Sequence, residues 1–410
     1  MNTIEELIQK ECPEGVEYLP LGEVCEIRGR IGFRGYTRND LVSKGEGAIS
    51  LSPSNIINGR LDYTNCAYVS WAKYEESPEI MIEEDDVIFC KTASVGKCGI
   101  IKNLPEKATI NPQFVVFKNI RCNHDFLYYV VSGKEFQSKI YKIRGLGSIP
   151  TLSQKDMSML EIPVPPLSVQ HKIVEILDKF TSLEAELQAE LEARKKQYEY
   201  YRNQLLDFTG REDVEWKPIK QLFETRNGYT PSKNNPEYWE NGDIPWFRME
   251  DIRANGRILS DSILHVNKCG VKGNLFPKDS LIVATSATIG EHALIKCESL
   301  SNQRFTYLML KSQYKDRFDI KFLFYYCFVL DKWCLENVNQ GGFASVNMPA
   351  FYDFQFPVPS LAEQEKIASI LDKFEELING QKASLSAEIK ARHQQYEYYR
   401  DKLLSFKRKD

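Results

Sequence analysis

Positive charge gathers near the N-terminus in a segment that is rich in glycine. Between residues 28 and 44, Asp40 is the only acid. Loops of this composition let arginines reach phosphate groups or the edges of guanine bases. The segment therefore predicts contact with a nucleic acid, and the alternative is a solvated basic loop. The candidate residues are Arg28, Arg30, Arg34, Tyr36 and Arg38.

A second segment, in the other half of the chain, has a similar character with more acid around it. Its candidates are Arg226, Tyr229, Lys233 and Arg248. We expect these residues to contact the same kind of ligand, because cations and an aromatic ring again lie among glycine, proline and serine. A solvated polar surface is the alternative.

Two short runs of amides precede residues that favour strands. Asn111 and Gln113 lie in Asn-Pro-Gln-Phe, one residue away from the Asn-Pro-Pro-aromatic turn with which amino-methyltransferases hold their target nitrogen. No glycine-rich loop for S-adenosylmethionine precedes it, so we do not expect methyl transfer. Amides that donate and accept can instead contact adenine in a bidentate manner. The alternative is an ordinary turn at a strand entry. The matching run supplies Asn302, Gln303 and Arg304.

A glycine loop follows a basic helix-like stretch in the first half. Residues 136–155 contain no acid, and Lys142, Arg144 and Ser148 are candidates for contact with DNA. The counterpart at 339–347 replaces charge with amides and hydroxyls, which suits two domains that share a frame and read different sequences. A glycine loop of incidental polarity is the alternative. Its candidates are Ser345 and Asn347, and weaker phosphate candidates are Lys91 and Lys97.

Motifs for nucleotide hydrolysis and for metal binding do not occur in the sequence. There is no Gly-x-x-x-x-Gly-Lys-Ser/Thr loop. The five histidines and ten cysteines show no zinc-ligand spacing and no Cys-x-x-Cys pair. We therefore expect reduced thiols, no metal, no cofactor and no catalytic residues in this chain.

Net charge is −4, which by itself argues against a nucleic-acid partner. Acidic residues are concentrated in the helical segments, however, so the local basic patches decide whether the chain can bind a nucleic acid. No run approaches the roughly 20 apolar residues of a membrane span. The sequence predicts a cytoplasmic protein.

Two strings of sequence occur twice. Ile-Leu-Asp-Lys-Phe at 176–180 recurs at 370–374, and Gln-Tyr-Glu-Tyr-Tyr-Arg at 197–202 recurs at 395–400. The segments before them align as well, and their short β-branched and aromatic runs between turn residues predict a mixed α/β fold. The duplication predicts an internal pseudo-two-fold. We expect α/β domains at 1–160 and 211–355, alternating with helical spacers at 161–210 and 356–410.

The spacers carry apolar residues every three to four positions, as in helices that pack on another helix. The first must carry the chain from one globular part to the next and the second must run back, so we expect an antiparallel coiled-coil pair. Some 40 residues would span about 60 Å. The expected seam residues are Ile173, Ile176, Phe180, Leu183, Leu187, Tyr198, Tyr201, Leu205, Ile367, Ile370, Phe374, Leu377, Leu385, Ile389, Tyr396, Tyr399 and Leu403.

Several strings in this layout resemble specificity subunits of type I restriction-modification systems. They are Cys-Pro-Glu-Gly-Val-Glu-Tyr at 12–18, Gln-His-Lys-Ile-Val at 170–174, Asn-Gly-Tyr-Thr-Pro-Ser-Lys at 227–233 and Asn-Gly-Asp-Ile-Pro-Trp at 241–246. The resemblance covers essentially the whole chain. Tandem target recognition domains that alternate with helical spacers are the architecture of that family.

The resemblance implies a non-catalytic subunit that binds double-stranded DNA with a split target. Each recognition domain would read one half-site, and the helices would set the gap between the halves. Two adenine methyltransferase (M) subunits would dock on the chain, and motor-nuclease (R) subunits would join for restriction. Two alternatives stay open: a coiled-coil scaffold for protein interactions, and the recognition subunit of a related bipartite-site restriction enzyme of the type IIB kind.

Overall fold

The protein is described from a computed structural model, which covers residues 2–31, 37–57, 59–145, 147, 149–339 and 344–409. The chain divides into two compact units, Met1–Ala189 with Leu385–Asp410, and Glu190–Ser384. The division passes through both long helices, so each unit holds one globular part and a portion of each long helix. The four-segment division expected from the sequence stays a prediction.

The first half of the chain alternates short strands with short helices before one long helix. Its described strands are β1 Tyr18–Pro20, β2 Glu26–Arg28, β3 Leu41–Val42, β4 Gly47–Leu51, β5 Ile56–Ile57, β6 Arg60–Leu61, β7 Ala67–Ser70, β8 Met81–Ile82, β9 Val87–Cys90, β10 Cys98–Ile100, β11 Ala108–Ile110, β12 Phe114–Lys118 and β13 Glu161–Pro163. Its described helices are α1 Asn2–Glu11, α2 Leu21–Val24, α3 Trp71–Glu75, α4 His124–Ser132, α5 Lys134–Ile143, α6 Gln154–Ser158 and α7 Leu167–Leu205.

The second half repeats this order. Its described strands are β14 Glu215–Pro218, β15 Phe223–Asn227, β16 Ile244–Phe247, β17 Ile258–Leu259, β18 His265–Val266, β19 Ser280–Ala284, β20 His292–Ile295, β21 Leu300–Ser301, β22 Phe305–Leu310, β23 Val338–Asn339, β24 Ser345–Val346 and β25 Gln355–Val358. Its described helices are α8 Ile219–Leu222, α9 Met249–Asn255, α10 Ile320–Glu336, α11 Met348–Asp353 and α12 Leu361–Leu403.

Each unit is built on two larger sheets, and two-stranded sheets accompany them in the described residues. In the first unit the larger sheets have the strand orders β3-β7-β4-β11-β8 and β10-β9-β12-β2, and in the second unit β15-β22-β19-β20-β17 and β18-β16-β21. One parallel pair recurs, β11 with β4 and β21 with β16, among antiparallel neighbours. The mixed α/β fold predicted for both halves is confirmed.

Central strands consist of continuous apolar runs because both of their faces are covered. β9 and β19 are buried along their whole lengths. In the first unit, Phe89 and Phe117 belong to a core that also contains Ile173 and Leu177 of α7. The corresponding core of the second unit contains Leu371 of α12. The long helices are therefore part of the globular cores at their first turns.

A buried glutamine joins the start of each long helix to its globular part. Gln170 and Gln364 are 2% and 0% exposed. Each Oε1 accepts the backbone N–H of a helix N-cap, from Asn123 of α4 at 2.8 Å and from Asp319 of α10 at 3.0 Å. Each Nε2 donates to a proline carbonyl, at 2.7 Å and 2.9 Å. The starts of these helices would otherwise leave polar groups buried without hydrogen bonds. In both units a glutamine bonds to them in the same way.

A tyrosine makes a second link eight residues further along each long helix. The hydroxyl of Tyr129 donates to Asp178 at 2.6 Å, and that of Tyr325 donates to Asp372 at 2.8 Å and to Glu375 at 3.0 Å. Burial, and then the neighbouring carboxylate, raises the pKa of both phenols. The hydroxyls stay protonated and serve as donors.

Aromatic rings join the two long helices within each unit. In the first unit the rings of Phe180 and Tyr399 are 5.3 Å apart, and His393 lies 3.3 Å from Glu184. Because the residue number rises on α7 while it falls on α12, the helices are antiparallel there. In the second unit Tyr201 stacks on the ring of a phenylalanine of α12 at 6.0 Å. Tandem α/β domains with long helices that pack together are confirmed.

Burial along the helices departs from the expected seam at three positions. Leu183 is 45% exposed, Leu377 is 61% exposed and Tyr201 is 42% exposed. A pair of helices covers only a narrow stripe once the globular part no longer adds a third neighbour. Near the helix starts, Leu177 and Leu371 are fully buried although we did not expect them in the seam. The other expected seam residues are buried or half-buried: Ile173, Ile176, Phe180, Leu187, Tyr198, Leu205, Ile367, Ile370, Phe374, Leu385, Ile389, Tyr396, Tyr399 and Leu403.

The ten cysteines are free, as expected. Burial raises the pKa of Cys25, Cys98 and Cys122 to about 12. Cys269 is exposed, in a turn of the second unit. In the described ranges, none of the helices combines the length and the apolar character that crossing a bilayer requires.

Candidate nucleic-acid interface

Three segments of the first unit are joined by backbone hydrogen bonds. The N–H of Lys91 donates to the carbonyl of Gln113 at 2.7 Å. The carbonyl of Lys91 accepts from Leu152 at 2.8 Å, and the N–H of Ala93 donates to Pro150 at 2.9 Å. The end of central strand β9 therefore holds both the amide run and the end of the glycine loop.

The second unit repeats these three bonds. The N–H of Thr285 donates to Arg304 at 3.0 Å, and its carbonyl accepts from Val346 at 2.9 Å. The N–H of Ala287 donates to Ala344 at 3.0 Å. This arrangement is named the three-segment frame, which consists of residues 91–97, 111–113 and 149–152 in the first unit and 285–291, 302–304 and 344–346 in the second.

The asparagines of the amide runs form turns within the frame. Oδ1 of Asn111 accepts from the N–H of Gln113 at 3.0 Å, and its Nδ2 donates to Oε1 of Gln113 at 3.0 Å. Oδ1 of Asn302 accepts from the N–H of Arg304 at 3.0 Å. Both asparagines use their oxygens on the backbone, as is common for this residue in turns. The structure thus places them in strand-entry turns, the alternative that we left open.

The residue that each turn presents differs between the units. Gln113 is half-buried, whereas Arg304 is exposed and makes no hydrogen bond or ion pair through its side chain to the described residues. Gln303 accepts from the hydroxyl of Thr230 at 2.6 Å. The same backbone geometry therefore carries an amide in one unit and a cation in the other.

The lysines of the first frame have different surroundings. Lys91 is half-buried, and desolvation lowers the pKa of its ammonium group. Lys97 is exposed and donates to the carbonyl of Pro53. The second frame has Thr285 and Glu291 at these places, so it lacks both positive charges.

The basic N-terminal segment is described only in part. Arg28 is exposed and donates from Nε to Glu26 at 2.9 Å. Hydrogen bonds from Asn119 and then from Arg28 lower the pKa of that glutamate. Arg30 is half-buried and Arg38 is exposed. Two further candidates, Arg34 and Tyr36, lie outside the described residues.

Cations also border the glycine loop. Lys142 is exposed, and the guanidinium of Arg144 lies 4.0 Å from the ring centre of Tyr141, which is 65% exposed. Stacking of this kind fixes the plane of an arginine. Ser148 lies outside the described residues.

Local contacts hold most of the candidates in the basic segment of the second unit. Arg226 donates to a backbone carbonyl at 2.7 Å and lies 4.0 Å from the ring centre of Phe276. The hydroxyl of Tyr229 accepts from the N–H of Lys272. Arg248 is half-buried, 3.8 Å from a glutamate. Lys233 is exposed and has no side-chain partner among the described residues.

Two candidates of the second glycine loop have structural positions. Asn347 caps α11 by accepting from the N–H of Ala350 at 3.3 Å, and Ser153 caps α6 in the same way at 3.0 Å. Ser345 is half-buried and pairs with Ser286 in an isolated bridge. Both candidates therefore take part in local structure.

Sequence reasoning missed the turn at the centre of each frame. Ala93 and Ala287 both have a φ of 64°, a left-handed conformation that few residues other than glycine adopt. No residue type in the sequence indicates this turn, because sequence patterns do not associate alanine with turns. The only available signal was the alignment of Thr-Ala-Ser at 92–94 with Ser-Ala-Thr at 286–288.

Comparison with known proteins covers both halves. The family model described as type I restriction modification DNA specificity domain matches residues 13–193 and 211–391. The EcoprrI specificity subunit of Escherichia coli is 54% identical over 203 residues, which are 48% of this chain and 51% of that protein. The EcoR124I/EcoR124II specificity subunit of Escherichia coli is 38% identical over 271 residues, 61% of this chain and 64% of that protein. The chain thus spans about half the length of the first relative and under two thirds of the second.

One solved structure shares the fold over almost the whole chain. It comes from work on complex assembly and conformational transition of the type I R-M system. The TM-score is 0.65 at 16% identity, with 95% of this chain and 97% of that chain covered. In the described part of the chain, no group of three or more histidine, cysteine, aspartate or glutamate residues could hold a metal ion.

Proposed function

The chain belongs to the family of type I restriction modification DNA specificity domains, and from this premise we propose that it is the DNA-reading subunit of a restriction-modification enzyme. Each unit binds one half of a split target on double-stranded DNA. The three-segment frame and the neighbouring cations form the contact surface of each unit.

One observation carries this proposal: the frames agree in backbone and differ in side chains. Six equivalent backbone hydrogen bonds, three in each unit, hold the same turns. On them the first unit presents Lys91 and Gln113, and the second presents Thr285 and Arg304. Base edges are distinguished by the type of side chain that meets them, since arginine suits guanine and glutamine suits adenine. A common frame with exchanged side chains is what two readers of different half-sites require.

We also propose that the chain carries out no chemical step. Two adenine methyltransferase subunits dock on it, and motor-nuclease subunits join them for restriction, in the cytoplasm. Membership of the specificity family supports this division of labour. The repeat supports a pair of methyltransferases, because two units of the same fold offer two equivalent docking places.

Selection from a random duplex pool tests the proposal. The full chain, with its methyltransferase subunit, should recover two short motifs on opposite sides of a gap of constant length. Binding should weaken steeply as salt rises, because cations that neutralise phosphates release counterions. A single continuous motif would contradict the split target. Binding that is absent, or indifferent to salt, would favour a scaffold for protein interactions.

A further inference from the structure

The alanine turns of the two frames are strained in the same way. In the first unit the N–H of Ser94 donates to the carbonyl of Thr92 at 2.9 Å across Ala93. In the second, the N–H of Thr288 donates to Ser286 at 2.9 Å. A three-residue turn with positive φ at its centre is rare and strained unless that residue is glycine. Neither unit has glycine there.

The residues on both sides of the alanine keep a hydroxyl while the methyl group is exchanged. Thr92 corresponds to Ser286, and Ser94 corresponds to Thr288. None of these four side-chain oxygens has a hydrogen-bond partner among the described residues. Oγ1 of Thr288 is buried, so no ligand reaches it. Serine and threonine in turns usually bond to nearby backbone, whereas the hydroxyls of Thr92, Ser94 and Ser286 remain available to a ligand.

The exposed position of the turn leaves room for the backbone of a large ligand. Ala93 and Ala287 are exposed, and each is fixed by a hydrogen bond from its own N–H to the end of the glycine loop. A small side chain lets another backbone approach closely. In the first unit Lys91 is next to the turn in sequence, and in the second the frame brings Arg304 to the same strand end.

Resting on the proposed function, we propose that the hydroxyls of Thr92 and Ser94 in the first alanine turn and of Ser286 in the second donate hydrogen bonds to phosphate oxygens of the DNA backbone, and so set the position of each half-site on its frame. Phosphate contacts position a protein on DNA without reading sequence. Because the half-sites differ while the hydroxyls are retained, the turns are the common anchor and the neighbouring side chains are the readers.

The test removes the hydroxyls in one unit at a time and keeps the side-chain shape. T92V/S94A changes the first unit and S286A changes the second, in the full chain with its methyltransferase subunits. Each variant should bind both its target duplex and an unrelated duplex about tenfold more weakly, since a hydrogen bond to a charged group is lost. The recognised bases and the salt dependence should not change, because a hydroxyl releases no counterion.

Two controls accompany these variants. T92S keeps the hydroxyl of the first turn while it removes only a methyl group, and it should bind like the parent protein. Ser182→Ala removes an exposed hydroxyl of α7 and should also leave binding unaltered. Thermal unfolding of all variants checks that the fold is retained.

Two results would overturn the anchor. The first is that the hydroxyl-free variants bind as tightly as the parent. The second is that the recognised bases of the altered half-site change, which would make the turn a base reader. In both cases the proposed function stands if the parent chain selects a split motif. If the parent chain shows no salt-dependent binding to DNA, the proposed function itself fails.

Discussion

The two units fill equivalent parts of their cores with side chains of different chemistry. In the first, Cys98 begins strand β10 opposite Phe89, and in the second, His292 begins β20 opposite Val283. His292 is fully buried, and its Nδ1 lies 2.6 Å from Asp331, which also lies 3.3 Å from Arg257.

The first unit has a thiol, an amide and one cation in this layer. Cys98 is buried, and Gln137 donates to the carbonyls of Gly96 at 2.9 Å and Val131 at 2.6 Å. Arg60 donates to the carbonyl of Thr181 on α7. Next to these clusters α4 ends and α5 begins at Gly133, whereas α10 runs unbroken from Ile320 to Glu336. The frame is nevertheless the same, so it does not depend on how the layer behind it is filled.

The largest difference between the units should appear when Asp331 is removed from the cluster in the second unit. Asp331→Ala leaves Arg257 and His292 without their carboxylate, and we expect a loss of about 3 kcal/mol in the free energy of unfolding. Gln137→Ala in the first unit should cost only about 1 kcal/mol, since the groups involved are neutral. Urea denaturation of the full chain measures both. Equal losses would show that the clusters are energetically equivalent.

The next comparison concerns the reading side chains. Gln113→Arg and Arg304→Gln exchange the two residues that the turns present, and each should change the preferred bases of one half-site only, by about 1–3 kcal/mol of discrimination. Selection from random duplexes measures the change. Gln197→Arg, on the exposed side of α7, adds the same charge and should leave both motifs unaltered. A change in both half-sites would contradict one reader per unit.

A smaller difference should follow from the tyrosine links. Tyr325→Phe removes a donor shared by two carboxylates, and Tyr129→Phe removes a donor to one. We expect losses of roughly 2 and 1 kcal/mol in the free energy of unfolding. A larger loss for the tyrosine of the first unit would reverse the comparison. Thermal unfolding provides an independent check.

The smallest difference concerns the pH dependence that one carboxylate of α7 adds to the first unit. Hydrogen bonds from Lys172, and then from Lys179, lower the pKa of Glu175 from 4.5 to about 2. A carboxylate with a depressed pKa stabilises the fold at pH values above 4.5, and this contribution is lost as the pH falls toward 2. Glu175→Gln should flatten the stability curve in this window. Ser369 holds the matching place between two lysines, so S369E should add a similar dependence to the second unit.

The sequence predicted the fold well wherever repeated strings identified equivalent elements. Identical strings at 176–180 and 370–374 predicted the long helices and their antiparallel pairing, since connectivity left no other direction. The site was harder to predict. Asn111 and Asn302 have the residue type of adenine readers, yet their oxygens close turns, and only coordinates show where a short polar side chain bonds. Leu183 and Leu377 follow the seam period but extend past the packed stripe, because periodicity does not tell how many neighbours a helix has.

The exposure of Cys269 allows the second unit to be labelled selectively. The other cysteines are buried or half-buried, and the pKa values of Cys297 and of Cys25, Cys98 and Cys122 are raised to between about 11 and about 12 by burial. A maleimide dye added at neutral pH would therefore react first at this thiol, because the deprotonated form is the nucleophile and must be accessible. Fluorescence from that label would report on the second unit while the first stays unlabelled.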